Sequence, residues 1–363
     1  MRNSLHGPLA SLTTMRALAT RLAIPWRPVV GLLIFTVLAA WMAFSVAVTR
    51  PWALLSLLSL PIAAFVVRRP AFLAGLVMCD SLILMLALNG EGTADQLMLG
   101  RAALESVLAG ENPYRVYDLG THSNPFAYGP LAMLTAIVGE PLELMSAVAI
   151  LGVLALSGAW ITFGVVAALP IFVTYVLAGI NDYTPTLLLM IALVVMRSQP
   201  MRGLLVMAVA VALKPYALAW VIPAVGFAGI MAGVWFLIAS LVMWAPVLLV
   251  WGPASYVAAV RSVEASRVLA AGTQPDAVAL NIPWLRSLIV PFSLAGFWLR
   301  DWRSALLLGA AGFVAFMLFS PWTHWGYWIV VIPVVGLALE ARPSKPHERK
   351  SPLRLDDLVV SAT

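Results

Sequence analysis

A few ionisable side chains interrupt or border long apolar stretches of this sequence: Asp80, Asp95, Asp182, Lys214 and His324. In an apolar setting such a group is expensive unless paired, and is therefore a candidate for function. A carboxylate there can take up a proton, a lone cation can hold an anion, and an imidazole can hydrogen-bond either kind of group. Asp95 opens a stretch, 93–109, in which Leu97, Met98, Leu104, Val107 and Leu108 recur at helical spacing. Gly110 then marks a stop and Asn112-Pro113 a turn. Two readings of Asp95 follow: it caps this helix, as Asp commonly does, or it presents its carboxylate for chemistry. Lys214 either pairs or snorkels. His324, set among Trp322, Trp325 and Trp328, reads as an interfacial anchor or as a hydrogen-bonding group at a membrane mouth. Arg261 and Arg267 lie on a helix-patterned segment where Glu264 can pair with either. Asp80 sits in mid-run, expected to be buried and hydrogen-bonded or protonated.

Metal chemistry has no visible footing. The single cysteine, Cys79, excludes an intrachain disulfide and a cysteine metal site. His6, His122, His324 and His347 are widely scattered, and no Asp-x-Asp occurs in the long loops, so neither a metal nor a cofactor is expected.

The elements that must position these groups follow from composition. Of 363 residues, 62% are hydrophobic and 10% charged, whereas a soluble domain carries roughly a quarter charged residues. The solvent for this much apolar surface is lipid, and an all-α polytopic membrane protein is expected. The net charge of +6 sits at the termini and in short turns, forming no nucleic-acid motif; nucleic acid is not an expected partner. By the positive-inside rule these cations set topology. Residues 1–28 read as a cytoplasmic segment before a retained first span, about 29–49, followed by runs near 52–67 and 71–89. Residues 90–128 then form an external loop carrying an amphipathic helix on the membrane surface.

Further runs lie near 129–139, 143–178, 184–197, 203–213, 216–227 and 229–251. Residues 143–168 are expected to cross once and to be followed by a partial, re-entrant segment broken at Pro170, with Glu140 and Glu143 solvated on the cytoplasmic side. A second external loop, 252–286, precedes runs near 287–299, 304–319 and 325–340. The basic stretch 341–363 is expected to be a disordered cytoplasmic tail. The sum is about twelve spans within 29–340, several of them short, as suits helices lining a water-filled cavity.

The order Asp95, Ala102, Leu108-Ala109-Gly110, Asn112-Pro113-Tyr114 and Tyr128-Gly129-Pro130-Leu131 resembles the external-loop signature of the GT-C superfamily of lipid-linked-sugar glycosyltransferases. It is most similar to glycosyltransferase family 87, which contains polyprenyl-phosphate-mannose-dependent mannosyltransferases. Leu99 stands where that family commonly has an aromatic, and Gly129 replaces the first proline of its Tyr-Pro-Pro-Leu. Gly179-Ile180-Asn181-Asp182, then Lys214-Pro215, are similar to the family's Gly-Gln-x-Asn and Lys-Pro elements. The stretch 320–327, Ser-Pro-Trp-Thr-His-Trp-Gly-Tyr, is similar to its Ser-Pro-x-x-Trp-x-His segment, with Trp and His spaced differently. The resemblance spans about 90–340.

What it implies is a GT-C bundle that moves one sugar, with mannose as the expected sugar, from a polyprenyl-phosphate donor to a lipid or glycan acceptor. The reaction would occur on the external face of the plasma membrane, with inversion and without a metal. Asp95 would be the general base; one carboxylate suffices because the leaving group is already a phosphate. His324 would hydrogen-bond that base or the sugar. The leaving phosphate needs a cation, for which the external candidates are Arg101, Arg115, Arg261, Arg267, Arg286 and Lys214, and Tyr114, Tyr128, Asn181 and Asp182 would contact substrate. A transporter or lipid flippase is the alternative, since it too has broken helices and buried charges. A non-catalytic assembly subunit is a third reading.

Overall fold

The computed structural model describes residues 26–57, 70–88, 95–119, 123–270, 283–318 and 325–341. His324, residues 1–25 and residues 342–363 lie outside the described residues. So do the side chains of Glu264 and Arg267, although their backbone is helical.

The described chain is almost entirely helical. It runs α1 (Trp26–Val46), α2 (Pro70–Ala87), α3 (Gln96–Leu108), a two-stranded antiparallel ribbon of β1 (Val116–Asp118) and β2 (Ser123–Pro125), α4 (Ala132–Val138) and α5 (Glu140–Ser157). Then follow α6 (Trp160–Ala167), α7 (Pro170–Thr174), α8 (Tyr183–Met196), α9 (Pro200–Leu213), α10 (Leu218–Ala228) and α11 (Ile230–Trp251). The last are α12 (Pro253–Ala270), α13 (Ile289–Leu299), α14 (Trp302–Leu318) and α15 (Trp328–Glu340). Segments within α1, α5 and α11 are long and apolar enough to cross a membrane. On α11 the exposed residues include Ile230, Trp235, Leu241, Val242, Leu249 and Val250. An all-α protein of this apolar character is built to associate with a membrane.

Hydrogen bonds sort the helix ends into two groups. At one end Glu340 closes α15, and its carboxylate accepts the backbone N–H of Ile161 and of Thr162, each at 2.8 Å, satisfying amides that every helix leaves open at its start. Arg27 donates to the carbonyl of Glu340 and Arg303 to that of Ala341. Arg197 stacks over the Trp302 ring at 5.0 Å, and the Trp302 indole donates to Leu193. The start of α1, the start of α6, the end of α8 and the start of α14 therefore share a basic end.

The opposite end begins at Glu143. Its buried carboxylate accepts from the amides of Tyr183 (2.9 Å) and Thr184 (3.1 Å) and from the Thr184 hydroxyl (2.7 Å), capping α8 from another helix. This corrects the expectation that Glu143 is solvated at the basic end. The expected crossing at 129–139 falls with it. The amides of Gly129 and Leu131 donate to the carbonyls of Leu213 and Ala212 at the end of α9, so residues 129–143 start and finish at one end of the bundle. Seven residues of α4 rise only about 10 Å in any case. Likewise α5 does not run on to 168. It stops at Gly158, whose φ of 77° places it in the left-handed region that a glycine adopts without penalty. The return is made by α6 and α7, broken where Pro170 starts the second.

Candidate functional site

α3 docks its first turn onto the bundle. The amide of Leu97 donates to the carbonyl of Gly179 at 3.0 Å, while Leu97, Leu99, Gly100, Ala103 and Ser106 are buried and Met98 and Leu108 remain exposed. The buried face thus differs from the five-residue stripe that the sequence suggests, because the helix packs on protein as well as presenting an apolar side outward. Beneath it lies a small aromatic core. Tyr114 meets Phe126 at 5.8 Å and Tyr256 at 5.2 Å, and Tyr256 meets Trp244 at 4.9 Å, which pins the ribbon against α12 and α11. Burial pushes the hydroxyls of Tyr114 and Tyr256 above the ordinary tyrosine range.

Asp95 precedes α3 but does not cap it, since no hydrogen bond runs from its side chain to the helix amides. Its half-buried carboxylate instead accepts from the Asn124 amide at the edge of β2. The capping reading is therefore replaced by one in which the ribbon holds the carboxylate.

Gln96, the next residue, ties this corner to the buried charges. Its Oε1 accepts from the backbone N–H of Asn181 and from Lys214 Nζ, both at 3.0 Å. Lys214 Nζ also donates to Asp182 Oδ1 at 2.6 Å, within a pair whose side chains are 4% and 2% exposed. The ammonium lies 5.0 Å from the centre of the Tyr128 ring and 5.9 Å from that of Tyr216. Lys214 is thus neither a snorkelling cation nor a free one; two of its three donors are engaged. Tyr128 comes this close because Gly129 lies flat against α9, where a Cβ would overlap the carbonyl oxygen of Ala212. The glycine that stands in place of a proline has a steric cause.

Five of the expected residues are therefore brought together: Asp95 through Gln96, then Asn181, Asp182, Lys214 and Tyr128. Tyr114 supports the same region from the aromatic core. Arg261 is exposed on α12, and the structure gives it no part in this corner. Arg115 pairs with Glu111 on the surface at 2.6 Å. Asp80 is buried in α2, as expected. Gln96 and Asn124 escaped the sequence reading, and Glu143, expected to be solvated, is a buried cap of α8. Among the described residues no group of three His, Cys, Asp or Glu is arranged to hold a metal ion.

Chemically the corner is rich in acceptors. The Asp182 carboxylate and the Gln96 amide oxygen accept from one buried ammonium, and Asp95 and Asn181 are the residues next along the chain to Gln96 and Asp182. Such a site can accept protons and hydrogen bonds more readily than it can hold an anion. Comparison of the chain with protein-family models, with curated proteins and with solved structures returns no match.

Proposed function

We propose that this protein is a membrane glycosyltransferase of the GT-C type that moves a sugar, mannose in the first instance, from a polyprenyl-phosphate donor to a hydroxyl of a lipid or glycan acceptor. The observation that carries the reading is the junction at Gln96, where the loop presenting Asp95 locks onto the Asn181-Asp182 turn and Lys214. Three of the elements that carry the family resemblance, the segment opening at Asp95, the Asn181-Asp182 turn and Lys214, are joined there through Gln96.

The membrane arrangement belongs to the same proposal. With the end bearing Arg27, Arg197 and Arg303 on the cytoplasmic side, α5 enters from the external face, α6 and α7 return, and α8 enters again. The total remains about twelve crossings, with α4 held at the external face and the Asp95 corner opening outward from the plasma membrane. In the reaction the acceptor oxygen attacks the anomeric carbon and the bond from that carbon to the donor phosphate breaks. The acceptor proton passes to Asp95, whose orientation is set by Asn124. Lys214 is already paired with Asp182, so the leaving phosphate is placed away from that pair.

A transporter or flippase is the second reading, favoured by the fully buried Lys214–Asp182 pair and Glu143. Against it, these groups occupy helix ends at one face, not the middle of the bundle. The test is direct transfer by purified protein from polyprenyl-phosphate mannose in the presence of a chelator. Asp95→Asn is expected to lower turnover by about two to four orders of magnitude with little change in melting temperature, because the carboxamide oxygen can still accept from Asn124. Normal turnover in that variant, or activity only with a nucleotide sugar, overturns the proposal.

A further inference from the structure

Two helix connections lie side by side at the basic end. α8 passes into α9 at residues 197–199, and α13 into α14 at residues 300–301. Trp302 joins them, because its indole donates to the Leu193 carbonyl and its ring lies beneath the Arg197 guanidinium. The connections and the helix starts that follow them carry Arg197, Arg202, Arg300 and Arg303 with one acid, Asp301. That acid is spent elsewhere. Its Oδ1 accepts the backbone N–H of Ser304 at 3.0 Å and so caps the start of α14. Glu340, the other acid of this end, is given in the same way to the amides of Ile161 and Thr162. Among the described residues no ion pair joins Arg202, Arg300 or Arg303 to a carboxylate.

These three side chains are exposed, and each is anchored by a bond that uses a small part of its guanidinium. Arg202 Nη1 donates to Gln199 Oε1 at 2.6 Å, Arg300 Nε to the Phe297 carbonyl at 2.7 Å, and Arg303 Nη2 to the Ala341 carbonyl at 3.0 Å. The remaining N–H groups form forks suited to the oxygens of a phosphate. Burial, and after it the charge of Arg303, lowers the Arg197 guanidinium from its ordinary value, in keeping with positive charge gathered in one place. The border of the patch is apolar. Met201 adjoins Arg202, and Trp298 and Leu299, 78% and 55% exposed, run directly into Arg300. A soluble anion leaves these side chains uncovered, whereas the chains of a lipid cover them and a tryptophan at the headgroup level is well placed.

We infer that the adjoining α8–α9 and α13–α14 connections form a binding surface for the phosphate headgroup of an anionic phospholipid, with Arg202, Arg300 and Arg303 on the phosphate and Trp298 beside the acyl chains. The inference does not depend on glycosyl transfer and holds equally for a transporter.

The full chain is reconstituted in bilayers of equal parts phosphatidylcholine and phosphatidylglycerol, and the lipids that stay with it through mild detergent are quantified by mass spectrometry. Wild type is expected to retain phosphatidylglycerol in preference to phosphatidylcholine. Arg202→Gln and Arg300→Gln, which remove charge but keep a long polar side chain, are each expected to lose about fivefold of that preference. Arg300→Lys keeps the charge and is expected to keep most of it. In phosphatidylcholine alone the melting temperatures are expected to agree; in the mixed bilayer wild type and Arg300→Lys gain more than the Gln variants. If Arg300→Gln melts lower without anionic lipid, Arg202→Gln decides, since its side-chain bond is to Gln199 three residues away. No preference in wild type, or a preference that the Gln variants keep in full, overturns the inference. Displacement of the retained lipid by millimolar inorganic phosphate overturns it too, marking the patch as a site for a soluble anion.

Discussion

Replacing Lys214 by Met tests whether the buried ion pair or a free cation is the meaning of that residue. The ammonium and Asp182 Oδ1 are 2.6 Å apart and almost wholly screened from solvent. At an effective dielectric of about 20 their attraction is about 6 kcal/mol, much of it offset by the desolvation of both ions. Removing Lys214 alone forfeits the attraction and keeps the desolvation of Asp182, which then faces Gln96 Oε1 with two acceptors and no donor between them. The expected destabilisation is about 3–5 kcal/mol. Asp182→Asn strands Lys214 and is expected to fall in the same range. The double variant Lys214→Met/Asp182→Asn strands neither charge, so it is expected to recover most of the loss, giving a coupling of about 3 kcal/mol. Reversible denaturation of the purified protein in detergent, followed by tryptophan fluorescence, supplies all three values. Single variants that each cost less than about 1 kcal/mol, or effects that simply add, refute the reasoning. Lys214 would then be available to a ligand, and the leaving phosphate would return to it.

Two further outcomes are expected. In a Cys79→Ala background, Glu140→Cys is expected to react with an impermeant thiol reagent from the external face and Arg202→Cys only from the cytoplasmic face. Both side chains are exposed, and labelling of position 140 from inside would restore the crossing at 129–139. Raised tyrosine values at Tyr114 and Tyr256 mean that the folded loop favours the neutral phenols. Their contribution to loop stability is complete below about pH 10, the unfolded value, and is lost as pH rises through the folded values. Phenolate absorbance should therefore lag behind that of free tyrosine and rise together with proteolysis of the loop; titration near 10 with the loop still protected would contradict this packing.

Composition and helical spacing were enough to read a helical membrane protein, a loop helix beginning near Asp95, and the candidacy of Asp182 and Lys214. They were enough because apolar content, period and isolated charge are local properties. The partnerships were not local. Glu140-Pro141 marks a helix start, but nothing in that signal says at which end of the bundle the helix starts, so Glu143 was misplaced together with the segment before it. Gln96 looks like any polar residue in a first helical turn; its importance comes from the approach of positions 181 and 214, which one sequence does not display. Gly129 read as a departure from a family pattern, and only the nearness of Ala212 explains why a side chain is excluded there.

The clamp formed by Glu340 on Ile161 and Thr162 bears on how the chain is made. The two partners of the Thr162 amide bond lie 178 residues apart, and the acceptor belongs to the last described helix. While the ribosome is still synthesising the second half, the first turn of α6 lacks this acceptor, and at the basic end of the bundle water can answer its amides in the meantime. The contact that closes this end forms only after α15 has been made.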